Sequence, residues 1–224
     1  MIIAIDGTSS SGKSTISREL GRRLGINVLG TGSLYRSVAL KMLNLSISID
    51  DDERIKQMLE KTIIESKFSN GTTTILLDGI AQSLDRLNEP DVSELSALVA
   101  QKPYVRDFVR KIQRSMAEKS KHIIVEGRDI GSVVFPEAEI KLFIDADIVT
   151  RAKRRQAEYI KNGENIPLKK VIKQLEDRDI EDRKRDISPL IMTSDAIIID
   201  TSSTPVSETV DRVISIITER TSKK

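Results

Sequence analysis

Short apolar runs alternate along the chain with longer segments whose apolar residues recur every three or four positions. The short runs predict buried strands, and the longer segments predict helices with one apolar face. The predicted strands are residues 2–5, 26–29, 122–125, 140–144 and 196–199. The main predicted helices are residues 13–24, 34–43, 90–100, 103–116, 148–160, 167–186 and 205–217. Because strands alternate with helices, the pattern predicts an α/β fold with a parallel sheet covered on both faces.

Two segments near the middle of the chain depart from this alternation. Residues 63–68 and 72–78 flank Asn70-Gly71, a pair that strongly favours a β-hairpin turn. Residues 50–52 are three consecutive aspartates, which are typical of a helix N-terminus. The hairpin therefore predicts a small antiparallel insert in the parallel fold.

Composition excludes several classes of protein. The 224 residues are 38% hydrophobic but only 3% aromatic, so we expect a core of Ile, Leu and Val. The absence of cysteine excludes disulfides and thiol chemistry. A net charge of +2 gives no support for general nucleic-acid binding. No apolar run is long enough to cross a bilayer, and the chain starts on a strand, so we expect a cytoplasmic protein.

The first predicted strand leads into a glycine-rich segment with the pattern G-x-x-x-x-G-K-S. Gly7 and Gly12 permit backbone angles that turn successive N–H groups toward an anion, and the helix that begins at Lys13 adds its positive end. Lys13 supplies a charge for the outer phosphates, and the Ser14 hydroxyl suits a Mg²⁺ ligand. The alternative is a turn that merely joins strand to helix, but strand, loop and helix occur in the order that a phosphate-binding loop requires. The predicted ATP-binding residues are Gly7, Thr8, Ser9, Ser10, Ser11, Gly12, Lys13, Ser14 and Thr15.

Arginines and a few other polar residues form a second set of candidates. Some follow predicted strands or begin helices, and others lie on the two basic helices of residues 148–189, where 12 Lys or Arg stand against 8 Asp or Glu. Guanidinium groups grip phosphate oxygens in a bidentate manner, so this set favours a phosphate-rich substrate. The alternative for the helical arginines is a solvated face with Glu/Arg pairs. The set comprises Thr31, Arg36, Arg106, Arg128, Asp129, Arg151, Arg154, Arg155, Arg178, Asp182 and Arg185.

Nearly the whole chain resembles the bacterial cytidylate kinase family. The resemblance depends on GTSSSGKST, TGSLYR, PYVR, EGRDIGSVVFPEAEIKLFIDA, RAKRR and DRDIEDRKRDISPL. It implies a P-loop three-layer sandwich with a five-stranded parallel sheet, and transfer of a phosphoryl group from ATP, with Mg²⁺, to CMP or dCMP. It also implies one kinase domain over residues 1–224, with a monophosphate-binding part at 31–105, a hairpin insert near 63–78 and a lid at 149–165.

The resemblance further implies roles for individual residues. Arg36 and Arg128 would hold the monophosphate, and Asp182 would reach the sugar, with Arg178 also on the substrate side. The base would be surrounded by Thr31, Arg106, Asp129 and Arg185. An acceptor at Asp129 suits the exocyclic amine of cytosine and would repel the carbonyl of uracil. Lys13, Arg128, Arg151 and Arg155 would stabilise the transferring phosphoryl group.

Three rival functions remain open from the sequence. The nearest is a kinase of the same scaffold that acts on AMP, UMP or dTMP. A nucleotide-dependent switch of the GTPase type would carry an Asn-Lys-x-Asp guanine reader, and this string does not occur. An RNA-binding module would place aromatics within its basic runs, where RAKRRQAEY offers only Tyr159. With the substrates that the resemblance implies, we expect the chain to bind CMP, dCMP and ATP, to be a monomer, and to have no nucleic-acid or membrane partner.

Overall fold

The computed structural model describes residues 1–69, 72–161 and 163–222, so the predicted Asn70-Gly71 turn lies outside the described residues. The strands are β1 (Ile2–Gly7), β2 (Asn27–Gly30), β3 (Ile64–Ser69), β4 (Thr72–Leu77), β5 (Ile80–Ala81), β6 (Ile123–Glu126), β7 (Ile140–Asp145) and β8 (Ile197–Asp200). The helices are α1 (Lys13–Leu24), α2 (Gly32–Asn44), α3 (Asp52–Glu60), α4 (Leu84–Leu87), α5 (Pro90–Val99), α6 (Pro103–Glu118), α7 (Ile148–Lys161), α8 (Leu168–Lys184) and α9 (Val206–Thr221). A π-helical turn spans Ile130–Val134.

The main sheet has five strands in the order β2-β6-β1-β7-β8. Strand β1 pairs in parallel with β7, and β7 pairs in parallel with β8. Ile3, Ala4 and Ile5 of β1 are fully buried, as expected for a central strand whose two faces are both covered. The predicted α/β class, a five-stranded parallel sheet with helices around it, is confirmed.

The chain folds into two compact units. The first unit comprises Met1–Ile26 and Ile124–Lys224 and contains the phosphate-loop sequence. Its helices α7 and α8 pack through a small apolar cluster of Ala152, Val171 and Leu175. This cluster fixes the two basic helices against each other.

The second unit comprises Asn27–Ile123. Its strands β3 and β4 pair in antiparallel fashion, from Ile64 opposite Leu77 to Ser69 opposite Thr72, in agreement with the predicted hairpin. Strand β5 adds a third strand to this sheet, and helix α4 follows it. The sequence did not predict either element, because β5 has two residues and α4 has four, which is too short for a hydrophobic period to be recognised. The helix predicted to begin at the three aspartates of residues 50–52 is α3, and the side chain of Asp51 caps its first turn. Over the described part of the chain, no helix is both long and apolar enough to span a membrane.

Candidate active site

The glycine loop joins β1 to α1 in the first unit and takes the shape that its sequence predicts. Gly7 has a φ of 147° and Gly12 a φ of 92°, both in the region that favours glycine. A Cβ on Gly7 would lie 1.9 Å from the carbonyl oxygen of Ile144 in β7. Only glycine therefore fits at the point where the loop leaves the sheet.

Lys13 points back into this loop. Its side chain is buried, with 7% exposure, and Nζ donates to the carbonyl oxygen of Thr8 over 2.5 Å. Burial, with a contribution from the nearby Arg128, lowers the pKa of Lys13 to about 7, although Glu126 and Asp6 act in the opposite direction. A buried ammonium near a guanidinium is a strong site for an anion, because an anion would stabilise both charges.

The loop is held in place from β7 and β8. The Thr8 hydroxyl donates to Oδ1 of Asp145 over 2.5 Å, and the Thr201 hydroxyl donates to the carbonyl oxygen of Ser11 over 2.8 Å. Arg154 of α7 donates in turn to the carbonyl oxygen of Thr201 over 2.6 Å. Asp145 ends β7 and Thr201 follows β8, and this position at strand ends is the sequence signal that could have identified them. Neither is among the predicted site residues.

Ser14, the predicted Mg²⁺ ligand, lies beside a carboxylate that is not among the predicted site residues. Its hydroxyl donates to Glu126 at the end of β6, over 2.8 and 3.0 Å to the two carboxylate oxygens. A hydroxyl and a carboxylate are the oxygen donors that Mg²⁺ prefers, with substrate phosphates and water completing its octahedron. This pair fits the expected ion, although no group of three or more acidic or histidine residues that could hold a metal occurs among the described residues.

Asp6, the last residue of β1 but one, fixes the segment that carries Arg128 and Asp129. Its carboxylate accepts from the N–H of Ile130 over 2.8 Å and from the N–H of Gly131 over 2.7 Å. Burial raises the pKa of Asp6 to about 6, although these two N–H groups act in the opposite direction. The π-helical turn therefore begins directly against the end of the first strand.

Three of the predicted substrate residues form one ion cluster around the buried carboxylate of Asp182. Nε of Arg128 lies 2.8 Å from Oδ2 of Asp182, and Nη1 of Arg185 lies 3.4 Å from Oδ1 of the same carboxylate. Burial by itself would raise the pKa of Asp182, but Arg128, with Arg178 and Arg185, holds it below its usual value. Arg178 itself is exposed on α8, and Asp129 is buried with 7% exposure at the start of the π-helical turn.

The two predicted catalytic arginines of α7 differ in their surroundings. Arg151 is buried, and its Nη1 donates to the carbonyl oxygen of Ser9 in the loop over 3.2 Å. Arg155 instead pairs with Glu158 at 2.9 Å and lies over the ring of Tyr159 at 4.6 Å. Of this pair, Arg151 reaches the phosphate loop through its described contacts, and the described partners of Arg155 are on its own helix.

The remaining predicted residues belong to the second unit. Thr31 is buried at the start of α2, and the guanidinium of Arg36 lies over Gly32, 3.3 Å from where a Cβ of that glycine would be. Arg106 of α6 is 4% exposed and donates to the carbonyl oxygen of Ala100 over 2.9 Å. Its guanidinium also lies 5.6 Å from the centre of the Tyr35 ring. This unit thus presents guanidinium groups at α2 and α6.

Comparisons with known proteins agree over nearly the full length of the chain. The family model described as Cytidylate kinase matches residues 3–219. A protein named Cytidylate kinase from Caldicellulosiruptor saccharolyticus is 37% identical over 214 residues, covering 96% of this chain and 94% of that protein. Another of the same name from Carboxydothermus hydrogenoformans is 38% identical over 217 residues, covering 97% of each.

Solved structures show the same fold at low sequence identity. The protein TT1252 from Thermus thermophilus has a TM-score of 0.52 at 18% identity, covering 98% of this chain and 96% of its own. A shikimate kinase from Bacteroides thetaiotaomicron has a TM-score of 0.51 at 11% identity, covering 97% of this chain and 98% of its own. At these identities the likeness concerns the fold alone.

Proposed function

Because the chain belongs to the cytidylate kinase family, we propose that it transfers the γ-phosphoryl group of ATP to CMP or dCMP, giving ADP and CDP or dCDP. The observation that carries this proposal is the buried Lys13 ammonium inside the glycine loop, where Nζ donates to the carbonyl oxygen of Thr8 and the Arg128 guanidinium acts to lower the pKa of the lysine. Two cations from different segments that face one region are stabilised by a polyanion. ATP on the loop and a nucleoside monophosphate at Arg128 would supply that charge.

The phosphate donor and the monophosphate acceptor are bound by different sets of residues. The N–H groups of the loop from Gly7 to Thr15 and the Lys13 ammonium hold the phosphates of ATP. Ser14, with Glu126 beside it, would hold Mg²⁺, which supplies positive charge against the phosphate oxygens. The monophosphate is bound by Arg36 and Arg128.

The nucleoside is recognised by a further group of side chains. Asp129 accepts from the exocyclic amine of cytosine, and a uracil carbonyl at the same place would face a carboxylate. Asp182 reaches the sugar, while Arg178 lies on the same helix. The base pocket is completed by Thr31, Arg106 and Arg185. At Thr31 the family commonly carries Ser, so a hydroxyl is kept at this position.

Catalysis consists of alignment and charge stabilisation. Phosphoryl transfer passes through a loose transition state with charge spread over the equatorial oxygens. The CMP phosphate is already anionic, so no general base is needed. Lys13, Arg128, Arg151 and Arg155 stabilise the transferring group, and closure of residues 149–165 as a lid excludes water, the competing acceptor. We propose one kinase domain that acts as a monomer, with residues 31–105 as its monophosphate-binding part.

A panel of acceptors tests this proposal directly. We expect kcat/KM with ATP and Mg²⁺ to be highest for CMP and dCMP when UMP, AMP and dTMP are assayed beside them. A preparation of the Lys13→Ala variant, purified in parallel, controls for contaminating kinases. Preference for AMP, UMP or dTMP would instead assign a different acceptor to the same scaffold, and no transfer to any monophosphate would refute the kinase proposal.

A further inference from the structure

A buried carboxylate outside the proposed set of site residues holds one of the proposed catalytic arginines. Asp179 lies in α8 and is 9% exposed. Its Oδ2 is 2.6 Å from Nη1 of Arg151, and its Oδ1 accepts from the backbone N–H of Ser9 over 3.4 Å. One carboxylate therefore contacts both the phosphate loop and the arginine of α7.

Arg151 is fixed by further hydrogen bonds to two backbone carbonyl oxygens. Nε donates to the carbonyl oxygen of Ala146 over 2.9 Å, and Nη1 donates to the carbonyl oxygen of Ser9 over 3.2 Å. Nη2 takes no part in these contacts. Because a guanidinium is planar, two fixed nitrogens determine the direction of the third.

The charge of Asp179 is needed for this arrangement. The two carbonyl oxygens accept hydrogen bonds from Arg151 but do not neutralise it, and the arginine side chain is only 7% exposed in the ion pair. A buried charge without a partner is unfavourable and moves toward water if it can. Removal of the carboxylate charge would therefore release Arg151 from its fixed direction.

The same helix presents a second carboxylate one turn further on, but its partner is different. Asp182 pairs with Arg128, on the proposed monophosphate side, as described above. Side chains at positions i and i+3 of a helix lie on neighbouring turns of one face. The α8 face thus holds Arg151 and Arg128 through separate carboxylates, so the two arginines can be perturbed independently.

We propose that Asp179 is a positioning residue that orients Arg151 against the phosphate loop for phosphoryl transfer, an inference that rests on the proposed kinase function. Asp179 itself touches no reacting atom. It acts by setting the geometry of Arg151, and pre-set charges contribute to catalysis because they need no reorganisation during the reaction.

The test is a double-mutant cycle of Asp179→Asn and Arg151→Ala. We expect Asp179→Asn to lower kcat about 10- to 100-fold and to change KM for CMP less than about twofold, because Arg128 keeps its own carboxylate. In the Arg151→Ala background, Asp179→Asn should change kcat less than about threefold, since its effect passes through the arginine. Asp179→Glu, which keeps the charge, should restore part of the lost kcat.

A matched control lies on the exposed face of the same helix. Asp177 pairs with Lys173 at 2.8 Å, with both side chains more than half exposed, so Asp177→Asn should leave kcat and both KM values within about twofold of native. Circular dichroism establishes that each variant is folded at the assay temperature. If Asp179→Asn does not fold, Asp179→Ala, which also removes the charge, takes its place in the cycle.

Three outcomes would overturn the inference. The first is a native kcat for Asp179→Asn. The second is a kcat of the double variant that falls by the product of the two single effects. The third is tighter ATP binding by Asp179→Asn, which would mean that the carboxylate competes with phosphate for the Ser9 N–H. Failure of the native protein to phosphorylate any monophosphate would instead refute the proposed function. The two failures are therefore distinguished by the native enzyme alone.

Discussion

Substitution of Gly7 by alanine tests how tightly the phosphate loop is joined to the sheet. The new Cβ would lie 1.9 Å from the carbonyl oxygen of Ile144, and real Cβ contacts are essentially never under 3.0 Å, so the atoms must separate by at least about 1.1 Å. The obstacle is backbone of the neighbouring strand, because Gly7 and Ile144 are opposite each other in the β1–β7 pairing. No change of side-chain rotamer can relieve it.

Two costs add at this position. A side chain in a sparsely populated backbone conformation costs about 1 to 3 kcal/mol, and forcing an extra carbon into a packed site costs a similar amount. We therefore expect Gly7→Ala to lower the free energy of unfolding by about 2 to 6 kcal/mol. For a chain of this size, each kcal/mol lowers the melting temperature by about 2 to 4 °C.

The control is Gly25→Ala at the end of α1. Gly25 has a φ of 64°, but a Cβ there would meet nothing within 4 Å, so only the backbone strain of about 1 to 2 kcal/mol applies. Thermal unfolding followed by circular dichroism compares the two variants with the native chain. A melting temperature of Gly7→Ala equal to or above that of Gly25→Ala would refute the steric reasoning.

Two further predictions concern buried charges of the same unit. Lys13→Ala should lower kcat by about a hundredfold or more while calorimetry shows that CMP still binds, with exposed Lys173→Ala as the control; loss of CMP affinity with intact turnover would contradict the role of Lys13. The second concerns Asp6, whose native pKa of about 6 exceeds its ordinary value of 3.8. The native state therefore binds the Asp6 proton more tightly, so this contribution to stability is complete below about pH 4 and is lost as the pH rises through about 6. In urea unfolding from pH 4 to 7, the stability of the native chain relative to Asp6→Asn should fall by about 2 kcal/mol, and a rise would contradict the assignment.

The sequence by itself determined the elements and the phosphate loop. Hydrophobic periodicity is a local property, so the strands of the main sheet and the longer helices could be located to within a few residues. The loop from Gly7 to Ser14 could be identified because its glycines, lysine and hydroxyl are consecutive in the chain. The arginine candidates could be proposed from residue type and position after strands, but their partners could not.

The tertiary structure alone decided which charges meet. Asp6 contacts the N–H of Gly131 across 125 positions of sequence, Ser14 contacts Glu126 across 112, and Ser9 contacts Asp179 across 170. None of these pairs shares a local pattern, because each depends on how strand order and helix packing bring distant segments together. The π-helical turn at Ile130–Val134 likewise has no periodic signal and begins where Asp6 binds its first N–H groups. Local sequence thus determined what each segment becomes, whereas long-range packing determined the surroundings and the pKa of each buried charge.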